Sequence, residues 1–401
     1  MTSTVTRMLK PLFAVMLGAL LIGQVGDTRD IYEAYRDGKV DIEVRGDGIE
    51  HVNGKLTRKA GTKPMVVRIP PGTLFEANGG GVQNMVVTEG TTVDLTVSRS
   101  ANFIAAVACS DIHLSVPGEG DRFAVGRLPA RKAEVVKFFP VANRAGVSYE
   151  TKQAGVWIVT DDADYGGLGI LVGGFFGGGP RVINEEEAAN AMMLLEKSGI
   201  DITSRSIWND RLSICDSVIT KTSAASTWCG KVYRETTDAS WKLAALEGSK
   251  PVVRRIARTS LLQARDEDSR ATLINTLNTS GAGSDNVIST IAQALGNFSG
   301  PEVGDALLSL LKDRPATVKA AAIQSLTKMK DLRAAEAVRS LIQVPETLAV
   351  RLAGIRCLGA LGSSDDDLQS LQAISKDGSQ QIRTAVALAI QQIKRRPRSV
   401  Q

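Results

Sequence analysis

From residue 253 onward, apolar positions recur with a helical period inside a longer repeat. Five segments align without gaps: VRRIARTSL from Val253, VISTIAQAL from Val287, VKAAAIQSL from Val318, VRLAGIRCL from Val350 and IRTAVALAI from Ile382. Their first residues lie 34, 31, 32 and 32 positions apart. In each segment the first, fifth and ninth residues are apolar or small, and a spacing of four puts them in one stripe of a helix. Partner helices with their own stripes are expected between them, at Leu273 and Leu277; Val303, Leu307 and Leu310; Ala334, Val338 and Leu341; and Leu368, Leu371 and Ile374. Breakers separate these elements: Gly296, Gly300-Pro301, Pro315, Pro345, Gly362 and Gly378. One helix pair cannot bury both faces alone, whereas stacked pairs share a continuous core, so the pattern predicts an α-solenoid.

Before the repeats the period changes. Val40, Ile42 and Val44 alternate, as do Val93, Leu95 and Val97, which is the signature of half-buried strands. Residues 64–69 run into Pro70-Pro71-Gly72, a turn signal, and Gly79-Gly80-Gly81 is a further break. Short strands at this spacing predict a small sandwich or barrel. After Leu128, residues 131–139 and 149–159 have helical character. A stronger helix is expected from Asn184 to Ser198, with Asn184 as cap, three Glu in its first turn and Gly199 as its stop.

The five aligned segments resemble HEAT repeats, above all the compact bacterial kind with a Val-Arg-x-x-Ala helix, over about residues 240–395. The resemblance implies a scaffold that binds protein or another polymer; a few members of the family are enzymes on bilins or alkylated DNA. It also implies a ladder in which an Asp before the helix pairs with a basic residue six positions on. Asp313 with Lys319 and Asp377 with Arg383 have that spacing, while Ile288 interrupts the ladder. Arg254, Lys319, Arg351 and Arg383 are thus ladder members or partner-facing residues, and both readings stand.

Composition narrows the setting. The chain has 401 residues, enough for two domains. Its formal net charge of +5 permits an acidic partner without demanding one. Part of that excess sits in Lys394, Arg395, Arg396 and Arg398, which read as a solvated tail. Arg7 and Lys10 precede an apolar run from Leu12 to Gly23, the layout of an export signal that is too short for a comfortable membrane span. No A-x-A cleavage site follows, and the alternatives are a buried N-terminal helix of a cytosolic protein and an uncleaved anchor. No other segment approaches transmembrane length.

The candidate chemistry is sparse. With two His in the chain, His51 and His113, His-rich metal or acid–base sites are excluded. Cys109 and His113 lie four apart, but a nucleophile and base in extended chain would be about 13 Å apart. A zinc set of Cys109, His113, Cys215 and Cys229 has suitable ligand types and irregular spacing. In an exported chain Cys215 and Cys229, 14 positions apart, form the favoured disulfide, and Cys357 reads as a buried thiol. Asp161, Asp162 and Asp164 hint at a calcium loop, but its twelfth position would be Gly173 instead of Glu. The glycine-rich stretch 166–179 lacks Gly-Lys-Ser/Thr and is no phosphate-binding loop. Gln153-Ala154-Gly155-Val156-Trp157 is similar to the Thr-Gln-x-Ala-aliphatic-Trp helix of thioester domains in Gram-positive surface adhesins. Here Lys152 replaces the Thr and Gly155 the Ala. If that resemblance held, Cys109 would be the thioester sulfur. A core helix that buries Trp157 explains the same residues.

The expected fold class is α+β: an N-terminal β-rich mixed domain followed by a C-terminal all-α HEAT-type solenoid. The expected segments are a signal peptide over 1–26, the mixed domain over 27–235, the repeats over 240–395 and a basic tail over 396–401. The expected role is that of an exported, non-enzymatic scaffold in the periplasm, at the cell surface or outside the cell, using the repeats to bind a protein partner and needing no cofactor or metal. Two alternatives accompany it: a covalent or enzymatic role of the first domain through Cys109, and an intracellular nucleic-acid binder.

Overall fold

The computed structural model describes residues 27–169, 183–248, 250–279, 283–312, 314–343 and 346–396. The expected export signal, Asp313, Pro345, Gly173, most of the glycine-rich stretch and the last residues of the tail lie outside the described residues. Two compact units result. One comprises residues up to 183 together with 194–206, the other residues 184–193 together with 207 onward.

The first unit opens with β1 (Asp27–Asp30), α1 (Ile31–Arg36), β2 (Val40–Asp47), β3 (His51–Arg58), β4 (Met65–Ile69), β5 (Thr73–Ala77), β6 (Asn84–Val87), β7 (Thr91–Leu95), β8 (Ser100–Ser110) and β9 (Arg122–Arg127). Six strands close a barrel in the order β2-β3-β8-β6-β5-β9, and β1, β4 and β7 form a separate three-stranded sheet. The alternation in β2 is real: Val40 and Val44 are buried, with Asp41 and Glu43 exposed between them. The second alternating run is shorter than expected, because β7 ends at Leu95 and Val97 is 95% exposed beyond it. The longest strand, β8, escaped the period-two reading. At its end Val107, Ala108, Cys109 and Ser110 are all buried, so no polar face alternates with the apolar one.

Two helices follow the barrel, α2 (Phe138–Ala145) and α3 (Tyr149–Thr160). Ser148 caps α3 by accepting from the Thr151 amide. The helix is buried from Thr151 through Thr160 with little interruption instead of along one stripe, and Trp157 lies inside it. Helix α4 (Glu185–Lys197) has the expected cap: the Asn184 side chain accepts from the Glu186 and Glu187 amides while Glu187 accepts from the Asn184 amide. Gly199, at φ +74°, ends it.

The remainder is helical: α5 (Arg211–Val218), α6 (Ala224–Glu235), α7 (Ala239–Gly248), α8 (Pro251–Gln263), α9 (Glu267–Asn278), α10 (Asp285–Leu295), α11 (Pro301–Ser309), α12 (Ala316–Met329), α13 (Arg333–Gln343), α14 (Leu348–Leu361), α15 (Asp365–Ala373) and α16 (Gln380–Arg395). The five aligned segments are α8, α10, α12, α14 and α16, each packed on the next. The partner helices α9, α11, α13 and α15 form the second layer. The anchors Val253, Val287, Val318, Val350 and Ile382 are all buried. Val287, Val318, Val350 and Ile382, with Leu261 of α8, join one apolar core with Leu307, Val338 and Leu371 from the partner layer. In α16 the stripe drifts, so that Ala389 and Ile393 are buried and Ile390 only partly so. Among the described residues no helix is long and apolar enough to cross a membrane.

Candidate interaction face of the helical repeats

Each basic position expected in the ladder lies one residue after a buried anchor, at the edge of the stripe. Lys319 Nζ meets Glu346 Oε1 at 2.6 Å and Arg351 Nη2 meets Asp377 Oδ2 at 2.7 Å, all four side chains no more than 20% exposed. The pairing runs between repeats: the cation of one helix reaches the acid that precedes the next. This corrects the pairing of Asp377 with Arg383 within one repeat. The Arg383 guanidinium instead donates to the backbone carbonyls of Asp377 and Gly378, at 2.7 and 2.9 Å. The Ser379 amide, then Arg351, hold the Asp377 carboxyl below the usual carboxylate range. Ile288 fills the corresponding position of α10 and is buried, so the ladder passes it by. Arg254 occupies the same position on α8, exposed.

Other cross-repeat contacts add to the ladder. Ser325 Oγ donates to the Ala292 carbonyl at 2.7 Å, Asn297 Nδ2 to the Leu262 carbonyl at 2.8 Å, and Arg333 reaches Asp305 at 2.5 Å. They fix the rotation of each pair on its neighbour, which sets the positions that each helix leaves uncovered.

Those positions lie two, six and ten residues after each anchor. On α8 they are Arg255, Thr259 and Gln263; on α10 and just past its end, Ser289, Gln293 and Asn297; on α12, Ala320, Gln324 and Lys328; on α14, Leu352, Arg356 and Ala360; on α16, Thr384, Leu388 and Gln392. All except Ala320 are exposed or half-buried. Three are cations and none is an acid. The partner layer differs in sign, with Glu267 and Asp268 in the first turn of α9, Glu302 in that of α11 and Asp365 to Asp367 in that of α15. Between α14 and α16 the uncovered face holds a groove of about 790 Å³ lined by Leu352, Arg356, Leu388 and Gln392. Leu388 is 55% exposed, and Arg356 forms no ion pair among the described residues. The periodic reading passed over these residues because it followed the buried stripe; the same register, shifted by two, marks them.

The cysteine candidates separate. The structure joins Cys215 to Cys229, with their Cα atoms 5.1 Å apart, linking α5 to α6. Cys357 is buried in α14. Cys109 is fully buried in the barrel wall, its thiol 3.6 Å from Met85 Sδ, and burial pushes that thiol up to about 12. His113 is exposed beyond the strand. The partner of Cys109 is Gln153: its Oε1 accepts from the Cys109 amide and its Nε2 donates to the Cys109 carbonyl, both at 2.7 Å. Tyr149 Oη donates to the same Oε1 at 2.9 Å. The carboxamide is thus used as a two-sided backbone clasp between β8 and α3. The zinc set is not brought together, and the described residues contain no cluster of His, Cys, Asp or Glu suited to a metal. The three Asp of the calcium hint are engaged by protein donors: Asp161 accepts from Thr160 Oγ1, Asp162 from Ser206 and Asp164 from the Gly167 amide.

Stacked helix pairs with a shared core and cross-repeat polar ties define the second unit as a helical-repeat solenoid. Its repeats are of the HEAT type: the HEAT repeat family matches residues 240–327 and 304–391. A comparison with curated proteins finds no match. Among solved structures, the CpcE and CpcF complex of phycocyanin lyase from Nostoc sp. is 22% identical over 40% of this chain and 67% of its own, with a TM-score of 0.34. An engineered protein is 18% identical over 46% of this chain and 97% of its own, with a TM-score of 0.30. Human deoxyhypusine hydroxylase in complex with glycerol is 14% identical over 53% of this chain and 91% of its own, with a TM-score of 0.25.

Proposed function

We propose that the HEAT repeats make this chain a protein-binding scaffold, that the uncovered face of α8, α10, α12, α14 and α16 carries the binding, and that the chain works after export. The three cations at the uncovered positions, with the Leu352–Arg356–Leu388 groove at one end, are the observation that carries the reading. A protein surface with carboxylates for Arg255, Lys328 and Arg356 and an apolar side chain for Leu388 fits it. Fixed cations on that face favour encounter with an acidic partner and fix its register.

The test is a double variant, Arg356→Glu/Leu388→Asp. Both side chains are exposed, so the fold is retained while the groove gains two acids. Loss of partner capture with an unchanged melting temperature is the expected result, and capture at the native level would refute the assignment of the face. Export is supported by the charged-then-apolar N-terminus and tested by intact mass. The chain from its native host should be shorter than 42.6 kDa by the signal segment, whereas an intact N-terminus in a cytosolic fraction overturns export.

The covalent or enzymatic alternative requires an accessible Cys109 thiolate. Burial of the thiol and the Gln153 clasp count against it. The nucleic-acid alternative predicts binding that falls steeply with salt; the three cations of the uncovered face, Arg255, Lys328 and Arg356, offer few phosphate contacts.

A further inference from the structure

The second unit also contains a cavity of about 1260 Å³ lined by residues of α6, α7 and α8 and the loops beside them. Five basic side chains line it, Lys221, Arg234, Lys242, Arg255 and Arg265, against two acids, Glu235 and Asp266. The first turn of α6 faces the cavity, and a helix of 12 residues presents the positive end of its dipole there.

Lys242 is the unusual member. Only 6% of it is exposed, yet among the described residues its ammonium has no hydrogen bond and no ion pair. The two carboxylates that act on it are occupied elsewhere. Asp266 caps α9 through the Ser269 amide at 2.8 Å, and Asp238 caps α7 through the Ser240 amide at 2.9 Å. Its carbon stem is packed away while the ammonium opens onto the cavity, where no protein group meets it. An anion in the cavity supplies the missing partner.

We propose that this cavity binds a small organic anion bearing phosphate or carboxylate groups, with the Lys242 ammonium as its central contact and Arg234 and Arg255 at its rim. The proposal does not rest on the protein-binding role of the repeats, and a small anion and a protein partner are measured separately.

The full-length chain is titrated by calorimetry with pyrophosphate and, separately, with citrate, at constant ionic strength set by chloride. Saturable binding of at least one of them is expected. Lys242→Met should weaken it by roughly tenfold or more, since the substitution removes the ammonium that meets the anion. The exposed pair Arg234→Gln/Arg255→Gln should weaken it several-fold while leaving the fold intact, and it decides the matter if Lys242→Met does not fold. Preference for pyrophosphate assigns a phosphate ligand, and preference for citrate a carboxylate ligand. No saturable binding of either anion, or affinity unchanged in the surface pair, overturns the proposal.

Discussion

Position 155 carries a glycine because a Cβ there would lie 2.3 Å from the Phe138 ring. Gly155→Ala should cost about 1–3 kcal/mol through overpacking, read as a lowered denaturation midpoint; an unchanged midpoint would show that the ring yields freely. This also accounts for the departure from the adhesin motif, which has Ala at that place. A few ångströms away, Gln153 serves the Cys109 backbone. Gln153→Ala leaves a buried amide and carbonyl unmatched and should cost on the order of 1–3 kcal/mol for each. The Cys109 thiol, raised from an ordinary value near 9 to about 12, holds its proton more tightly folded than unfolded. Its contribution to stability is therefore complete below pH 9 and is lost as pH rises from 9 toward 12. A disulfide-exchange probe at pH 8 should leave Cys109 unlabelled until the chain is denatured; rapid native labelling would contradict its burial. None of this was legible locally. Sequence spacing drew attention to His113, four positions from Cys109, whereas the true neighbour lies 44 positions away on a helix whose apolar run shows no stripe.

Elements with a strong period were readable, and those without one were not. The five repeat helices fall where the aligned segments place them, because the apolar stripe and the breakers repeat every 31 to 34 residues. The barrel was read as strands between glycine and proline turns, but closure depends on β8, whose buried tail hides its alternation. The ladder was legible as a set of residue types and misread in its connectivity: an Asp six positions before an Arg is near it in sequence, yet the preceding repeat offers Arg351 at 2.7 Å. Double-mutant cycles on Arg351 and Asp377 should give a coupling of about 0.5–1 kcal/mol, and the same cycle on Arg383 and Asp377 side chains a smaller one. The reverse order would restore the pairing within a repeat. The Cys215–Cys229 link closes a 14-residue separation between α5 and α6. Reduction, or the Cys215→Ser/Cys229→Ser variant, should cost about 3 kcal/mol from loop closure, measured as a shifted guanidinium midpoint.

At the scale of the whole chain, charge is sorted within the second unit: the repeat-helix layer carries one exposed acid, Asp285 at the start of α10, against several cations, and acids gather at the starts of the partner helices. This sorting was present in the sequence but became meaningful only when the cross-repeat contacts fixed which positions each helix leaves uncovered. Gly354 shows how tightly the repeats are packed beneath that face, since a Cβ there would lie 2.7 Å from Ile342. A large charged residue at Gly354 or at the fully buried Ala322 should unstack the repeats and abolish partner capture together, whereas the surface pair Arg356→Glu/Leu388→Asp separates the two effects. The most direct test of the scaffold reading compares wild type with that surface pair in cross-linking capture from the native host, with circular dichroism and the melting temperature of each protein measured alongside. A partner cross-linked to the wild type and lost in the equally folded variant is the expected result. Equal capture by both proteins would contradict it and move the binding surface away from the uncovered face of α14 and α16.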